Sequence, residues 1–362
     1  MKESFQMKIL YLSDQDLDNE SGVSQKISMQ AKQWLASGHE VSIVSLESLS
    51  FFSADKQRLS PAKITTERAG WKIFIHLVYS SWVLKSVLKD CDFDIVYMRY
   101  RLYSPCMKRA LKNRPQIVEI NSDDTAEYKH SSILLSLYNR AFRHLFLSKV
   151  DGFVCVSHEL EKKFLGYKKP TIVIANGIEC DAFYFEVSQP NLRPALVFIG
   201  SPNQSWHGVD NVVKMANTLP EFDFHIIGFH GVNTQNLFYY GYLCTEDANK
   251  LVAKFNIGLS TLALYKKQMK EASPLKTRQY LAQGLPIIYA YEDTDFKGEN
   301  SFSLQLPNNE TNVLDAISEI RDFVNKVYQD EEVRKEARRF SKNHLDVSIK
   351  EKARLSFFGR FI

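Results

Sequence analysis

Long apolar runs are missing from this sequence. Nothing in its 362 residues approaches the roughly 20 consecutive apolar residues that a membrane-spanning helix needs. Residues 1–7 are polar and charged, and the apolar stretch 9–12 stops at Ser13 and Asp14, which reads as a strand rather than a secretory signal. Cysteine is scarce too. Cys91, Cys106, Cys155, Cys180 and Cys244 are odd in number, widely spaced and without a CxxC pair, so neither a disulfide framework nor a zinc site is expected, and a reducing cytoplasm suits the chain. The formal net charge is only +4, which argues against a dedicated nucleic-acid binder. No GxGxxG occurs, so a dinucleotide site is not supported.

What is present describes a globular α/β protein. Hydrophobic residues make up 44% and charged residues 24%, and the length exceeds what one core usually fills, so two domains are expected. Residues 8–13 form a buried-strand pattern, a polar loop containing Gly22 follows, residues 27–37 read as a helix ended by Gly38, and 40–45 are a second strand. Further strand patterns at 95–98, 117–121, 152–157 and 171–175 alternate with helical stretches, which predicts a mostly parallel, doubly wound sheet. Ligands of such sheets sit beyond the carboxyl ends of the strands, where this chain places Asp14, Arg99, Asn121, Asp124, His158 and Asn176.

Two segments carry the marks of a surface-active face. Between Arg99 and Arg114 there are six basic residues and no acidic one, and within 133–147 Leu134, Leu135, Leu137, Phe142, Leu145 and Phe146 mix with Arg140, Arg143 and His144. Such faces suit an anionic membrane surface, but the preferred expectation is that the apolar sides pack on the sheet and the basic sides stay solvated.

From 176 to 194 the pattern breaks into a polar stretch with Pro190 and Pro194 that suits a linker. A second βα series follows. Strands at 195–200, 222–228 and 237–241 each end in glycine, Gly200, Gly228 and Gly241, which implies close backbone approach at one rim, the natural place for a nucleotide. Another strand is expected at 256–260, and residues 271–288 then combine a loop, a helix start, a helix stop and a strand. Pro274 suits a first helical turn, Ser273 can cap it, and Gly284 ends it. Leu275, Tyr280 and Leu281 would be buried while Lys276, Arg278 and Gln279 face outward. A helix N-terminus with a lysine beside it is a ready anion site. Helical segments from about 310 to 345 and a last helix at 347–358 complete the chain.

In order and spacing, Gly-Val-Ser-Gln at 22–25, Gly-His-Glu-Val at 38–41, Ile-Ala-Asn-Gly-Ile at 174–178, Gly-Val-Asp at 208–210 and Ser-Pro-Leu-Lys-Thr-Arg-Gln-Tyr-Leu-Ala-Gln-Gly-Leu-Pro at 273–286 resemble the retaining glycosyltransferases of family four. The resemblance covers nearly the whole chain. It implies the GT-B architecture, two doubly wound Rossmann-like domains facing across a cleft: an acceptor-side domain at 1–180, a nucleotide-sugar domain at 181–345, and a helix at 346–362 returning to the first. It also implies transfer of a sugar from a nucleotide diphosphate sugar to a glycan or lipid-linked acceptor, as in polysaccharide assembly. No metal and no cofactor beyond the donor is expected. The location would be cytoplasmic, with peripheral contact at the inner membrane face.

Carried over by position, Glu271 matches the first acid of the family's Glu-x7-Glu pattern and would face the transferred sugar, while Gln279 replaces the second and would hold the ribose. Ser201 and His207 stand where the family carries an Arg and a Lys against the diphosphate, with Lys276 and Arg278 as substitutes and His207 helping if protonated. Gly200, Gly228, Ser273, Pro274 and Leu275 would line the donor site, and Gly22 would close over the sugar. Asn121 falls where the family often has a histidine, with Glu119 and Asp124 beside it as groups able to move a proton. Two other readings fit the same fold: a non-catalytic partner subunit, fed by Ser201, His207, Gln279 and Asn121, and a GT-B sugar epimerase.

Overall fold

The computed structural model describes residues 6–19, 21–64, 72–105, 107–185, 191–202, 204–296 and 298–362. Pro190, expected in the linker, lies outside them. Contacts divide the chain into two units, one made of residues 1–174 together with 351–362, the other of residues 175–350.

The first unit is built on seven strands: β1 Lys8–Ser13, β2 Glu40–Ser45, β3 Phe51–Phe52, β4 Ile95–Arg99, β5 Gln116–Ile120, β6 Gly152–Cys155 and β7 Thr171–Val173. Their order is β3-β2-β1-β4-β5-β6-β7. β1 sits between its parallel partners, pairing Leu10 with Ser42 on one side and with Val96 on the other. Only the short edge β3 runs antiparallel. Inner strands covered on both faces must be apolar throughout, and β5 is buried at all five positions, Glu119 included.

The helix Gly22–Ala36 begins five residues earlier than periodicity predicts, because the Ser21 hydroxyl caps it by accepting from the Ser24 amide at 3.1 Å. Gly22 is thus the first helical residue rather than part of a loop. Trp34 of this helix packs on Tyr11, Tyr97 and Phe358 with ring centroids 5.4 to 5.6 Å away. Phe358 belongs to the last helix, Val347–Phe358, whose end completes this core.

The second unit carries a fully parallel six-stranded sheet of β8 Ala195–Ile199, β9 Asp223–Ile227, β10 Leu237–Tyr239, β11 Ile257–Leu259, β13 Ile287–Tyr289 and β15 Ser303–Gln305, in the order β10-β9-β8-β11-β13-β15. The pair β12 Glu271–Ala272 and β14 Glu292–Asp293 stands apart from it. Helices Asn312–Asp315, Ile317–Val327 and Glu331–Phe340 occupy most of the predicted helical stretch. The segment read as a linker is fastened at its start. Ile178 bridges to Asp346, its amide donating to the Leu345 carbonyl at 2.9 Å while its own carbonyl accepts from Val347. No helix among the described residues is long and apolar enough to cross a membrane.

Candidate functional site

At the carboxyl rim of the second sheet the three glycines do approach one another. The Gly228 amide donates to the Gly241 carbonyl at 2.7 Å, and a Cβ on Gly228, whose φ is +93°, would stand 2.0 Å from the Gly200 carbonyl oxygen. A side chain on Gly200 would strike the rings of Phe198 and Phe229. The close approach inferred from sequence is therefore between strand ends: Gly228 packs on the Gly200 carbonyl, while the rings of Phe198 and Phe229 cover Gly200 and the His230 ring covers Gly241.

The helix Leu275–Ala282 meets the end of β8 here. Pro274 is its N-cap rather than a residue of its first turn, and no side chain caps it. Ser273 does not cap because its hydroxyl is taken: it accepts from the Asn176 amide at 2.8 Å, while the Ser273 carbonyl accepts from the Asn176 side chain at 2.6 Å. Among the described residues no side chain accepts from the helix's first-turn amides.

Lys276 was expected on the outward face and instead lies inward, 9% exposed. Its Nζ donates to the Ile199 carbonyl at 3.0 Å and stands 4.2 Å from the centre of the Phe198 ring. Among the described residues no carboxylate pairs with it. Burial pushes its pKa well below the ordinary lysine value. The same strand end is held from the other side by Tyr280, whose hydroxyl accepts from the Ile199 amide at 2.8 Å. Tyr280 needs the bare backbone of Gly258 beneath its ring.

Arg278 is no substitute for a missing phosphate-binding cation. It is fully buried, paired to Asp293 and, at 2.8 Å, to Asp295, and its Nε donates to the Asn176 carbonyl at 3.2 Å. Two carboxylates consume its charge, and its role is to tie the 176–178 segment to the turn after β14. His207 is not a cation either. Burial, then Lys276 and Lys267, lower its pKa to about 2, and it ends a short 3₁₀ turn whose carbonyl accepts from the Leu262 amide at 3.1 Å. Ser201 is exposed just beyond β8. Gln279 is half-buried and donates to Asn249 Oδ1 at 2.8 Å, which leaves its own carbonyl oxygen as an acceptor. Glu271 is buried in β12.

In the first unit, Asn121 follows β5 and is oriented by two neighbours. Its Oδ1 accepts from Lys26 Nζ at 2.7 Å and its Nδ2 donates to Glu119 at 3.0 Å. Glu119 was expected to be able to move a proton, and the structure removes it from that role. It is completely buried, 2.9 Å from Lys26 and 3.7 Å from Arg354, and although burial by itself would raise its pKa, those two cations hold it far below the carboxylate range. A carboxylate fixed in its ionised form cannot act as an acid. Asp124 is likewise occupied, accepting from Arg143 at 2.7 Å and Asn139 at 2.8 Å. Lys26 was missed from sequence, although a signal existed. It falls on the helix stripe Val23, Lys26, Ile27, Gln30, Ala31, Trp34, where a lysine stands out among core positions. Burial brings its pKa down to about 8 against the opposing pull of Glu119.

Residues 21–182 match the model of the family described as Glycosyltransferase Family 4. No curated protein sequence is similar enough to count as a match. Among solved structures, sucrose-phosphate synthase from Thermosynechococcus elongatus superposes with a TM-score of 0.74 at 13% identity, covering 98% of this chain and 99% of that one. HepE from Anabaena, solved in complex with UDP-glucose, gives 0.65 at 12% identity over 98% and 100% of the two chains. The catalytic domain of starch synthase IV from Arabidopsis thaliana, bound to ADP and acarbose, gives 0.66 at 10% over 98% and 99%. At such identities the likeness establishes fold, two Rossmann-like domains of the GT-B kind, as the resemblance implied.

Proposed function

We propose, from the premise that the chain has the GT-B fold and matches Glycosyltransferase Family 4 over residues 21–182, that it is a glycosyltransferase moving a sugar from a nucleotide diphosphate sugar to a glycan or lipid-linked acceptor, with retention and without a metal. The observation that carries this reading is Lys276. An ammonium group buried against one carbonyl and one ring face has most of its hydrogen-bonding capacity unspent and no counter-charge, which is costly unless a ligand supplies one. The uncapped amides of the helix Leu275–Ala282 add donors and the positive end of its dipole at the same place. A diphosphate satisfies both.

In this reading Lys276 and the first-turn amides neutralise the charge that builds on the departing diphosphate, the task the family gives to an Arg and a Lys. His207, held neutral, leaves that task to them. Gly200 and Gly228 let the strand ends beside the Lys276 contact pack closely, since a side chain on either would displace them. Gln279, fixed through Asn249, turns its carbonyl oxygen to the ribose hydroxyls, and Glu271 orients the sugar. Asn121, held by Lys26 and Glu119, serves the acceptor side as a hydrogen-bonding group with no proton to exchange.

Calorimetric titration with UDP, GDP and ADP tests the reading. Binding of at least one is expected, and failure of all three overturns it. Lys276→Ala should weaken the binding about tenfold or more, as loss of a charge-assisted contact does, and Gln279→Ala should weaken it less. The opposite order would remove Lys276 from the diphosphate site. Nucleotide binding with no sugar transfer to any acceptor would favour the non-catalytic partner subunit instead.

A further inference from the structure

The helix Lys72–Val87 is built inside out. Its buried face carries His76, Ser80 and Ser81 beside Leu77 and Leu84. His76 Nε2 donates to the Leu46 carbonyl at 2.8 Å, and Ser81 donates to the Leu77 carbonyl at 3.0 Å and to that of Pro105. The outward stripe is Ile75, Val78, Tyr79 and Trp82, spaced three and four residues apart, with Trp82 70% exposed. Exposed Lys72 lies before this stripe and exposed Lys85 after it. Placing hydroxyls inside and a tryptophan outside is the reverse of what water selects.

The neighbouring helix Ile133–Leu147 continues the face. The expectation that its apolar side packs on the sheet fails: only Asn139, Phe146 and Leu147 are buried, while Ile133 is 78% and Leu137 58% exposed. The two helices share one aromatic seam. Phe74 lies 5.0 Å from Tyr138, Tyr138 4.7 Å from Phe142, and Phe142 stacks at 5.8 Å on Tyr103, whose carbonyl accepts from the Tyr138 hydroxyl at 2.9 Å. Within the two helices themselves charge has one sign. No acidic residue occurs in 72–89, 99–118 or 133–150, while Lys85, Lys89, Lys108, Arg109 and Arg140 do.

We propose that the outward faces of Lys72–Val87 and Ile133–Leu147 form one surface that docks on a membrane carrying anionic lipid headgroups. Apolar and aromatic side chains enter the headgroup boundary, and the basic rim meets the phosphates. Tryptophan and tyrosine are the residues that favour such a boundary, and lysines at the ends of the stripe can lay their stems along it while the ammonium stays wet. A second copy of this chain fits less well. Symmetric pairing through this face would set the same basic rims against each other, with no acid in those stretches to answer them. The docking surface stands on these observations alone and does not depend on the donor-site reading.

The test is sedimentation of the full chain with phosphatidylcholine vesicles, with and without phosphatidylglycerol. Binding to the phosphatidylglycerol vesicles, weakened by added salt, is expected. Trp82→Ser with Leu137→Ser should reduce it about tenfold or more, since the apolar area entering the bilayer is lost. Both side chains are at the surface, so the melting temperature should hold. Lys85→Glu with Arg140→Glu, which leaves the apolar stripe intact, should abolish the preference for anionic vesicles. No binding to anionic vesicles, binding unchanged in both variants, or a dimer in analytical centrifugation that the Trp82→Ser and Leu137→Ser changes dissolve would each overturn the proposal. Nucleotide titration in the absence of vesicles reports on the donor site separately.

Discussion

At Lys276 an ammonium is held by one carbonyl oxygen and one ring face, and burial lowers its pKa well below the ordinary value of 10.5. The unfolded chain therefore binds the proton more tightly than the folded one. Below the folded pKa the burial penalty is present in full, and it is relieved as pH rises from there toward 10.5. Replacing the charge with an apolar side chain of similar length, Lys276→Met, is expected to stabilise the protein at pH 7 by about 0.5–2 kcal/mol while weakening nucleotide binding. Urea denaturation at pH 7 and pH 10 checks this: the gain should shrink at the higher pH, and a gain that grows would contradict the assignment of cost to the buried charge.

The helix Val347–Phe358 shows what one element contributes through a few buried charges. Arg354 donates from Nε to Glu351 at 2.8 Å and from a terminal nitrogen to the Tyr97 hydroxyl at 3.0 Å, and its guanidinium lies 3.7 Å from Glu119. Glu351 also accepts from the Trp34 indole at 2.8 Å. All of these groups are buried, so removing one partner strands the others. Arg354→Ala should cost about 3–5 kcal/mol of unfolding free energy, because two buried carboxyl groups, Glu119 and Glu351, lose a cationic partner. A loss below about 1 kcal/mol, typical of exposed pairs, would show that water reaches this cluster. The same cluster fixes Asn121 through Glu119 and Lys26, so the last helix supports a residue far from it in sequence.

For the whole molecule, the first unit is discontinuous, closed by residues 351–362 after the chain has built the second. Ending the chain at Lys350 removes Glu351, Arg354, Phe357 and Phe358 from a core that contains Tyr11, Trp34 and Tyr97. Scanning calorimetry of the full chain and of this truncation should show the unfolding of the first unit lost or shifted down by more than about 10 °C, as several kcal/mol of lost core would require. The second unit, which spans 175–350 and holds the side chains of the proposed donor site, should still bind nucleotide. Loss of both together would show that the two units do not fold independently.

The alternation of strands and helices, the parallel sheets and the glycine-ended rim were legible in the sequence because they rest on local rules: apolar runs between turn residues, and backbone positions that tolerate no side chain. The family's motifs located the stretch from Glu271 to Pro286 for the same reason. What periodicity cannot say is which face of a helix meets protein. Lys276 and Arg278 lie on a short helix wedged against a strand end and the 176–178 segment, so both turn inward, one left without a counter-charge and the other given two. The apolar stripe of Lys72–Val87 turns outward because His76 and Ser81 on the opposite face bond the carbonyls of Leu46 and Pro105 beneath the helix. Asn121 takes its orientation from a lysine 95 positions earlier, a distance only the fold closes.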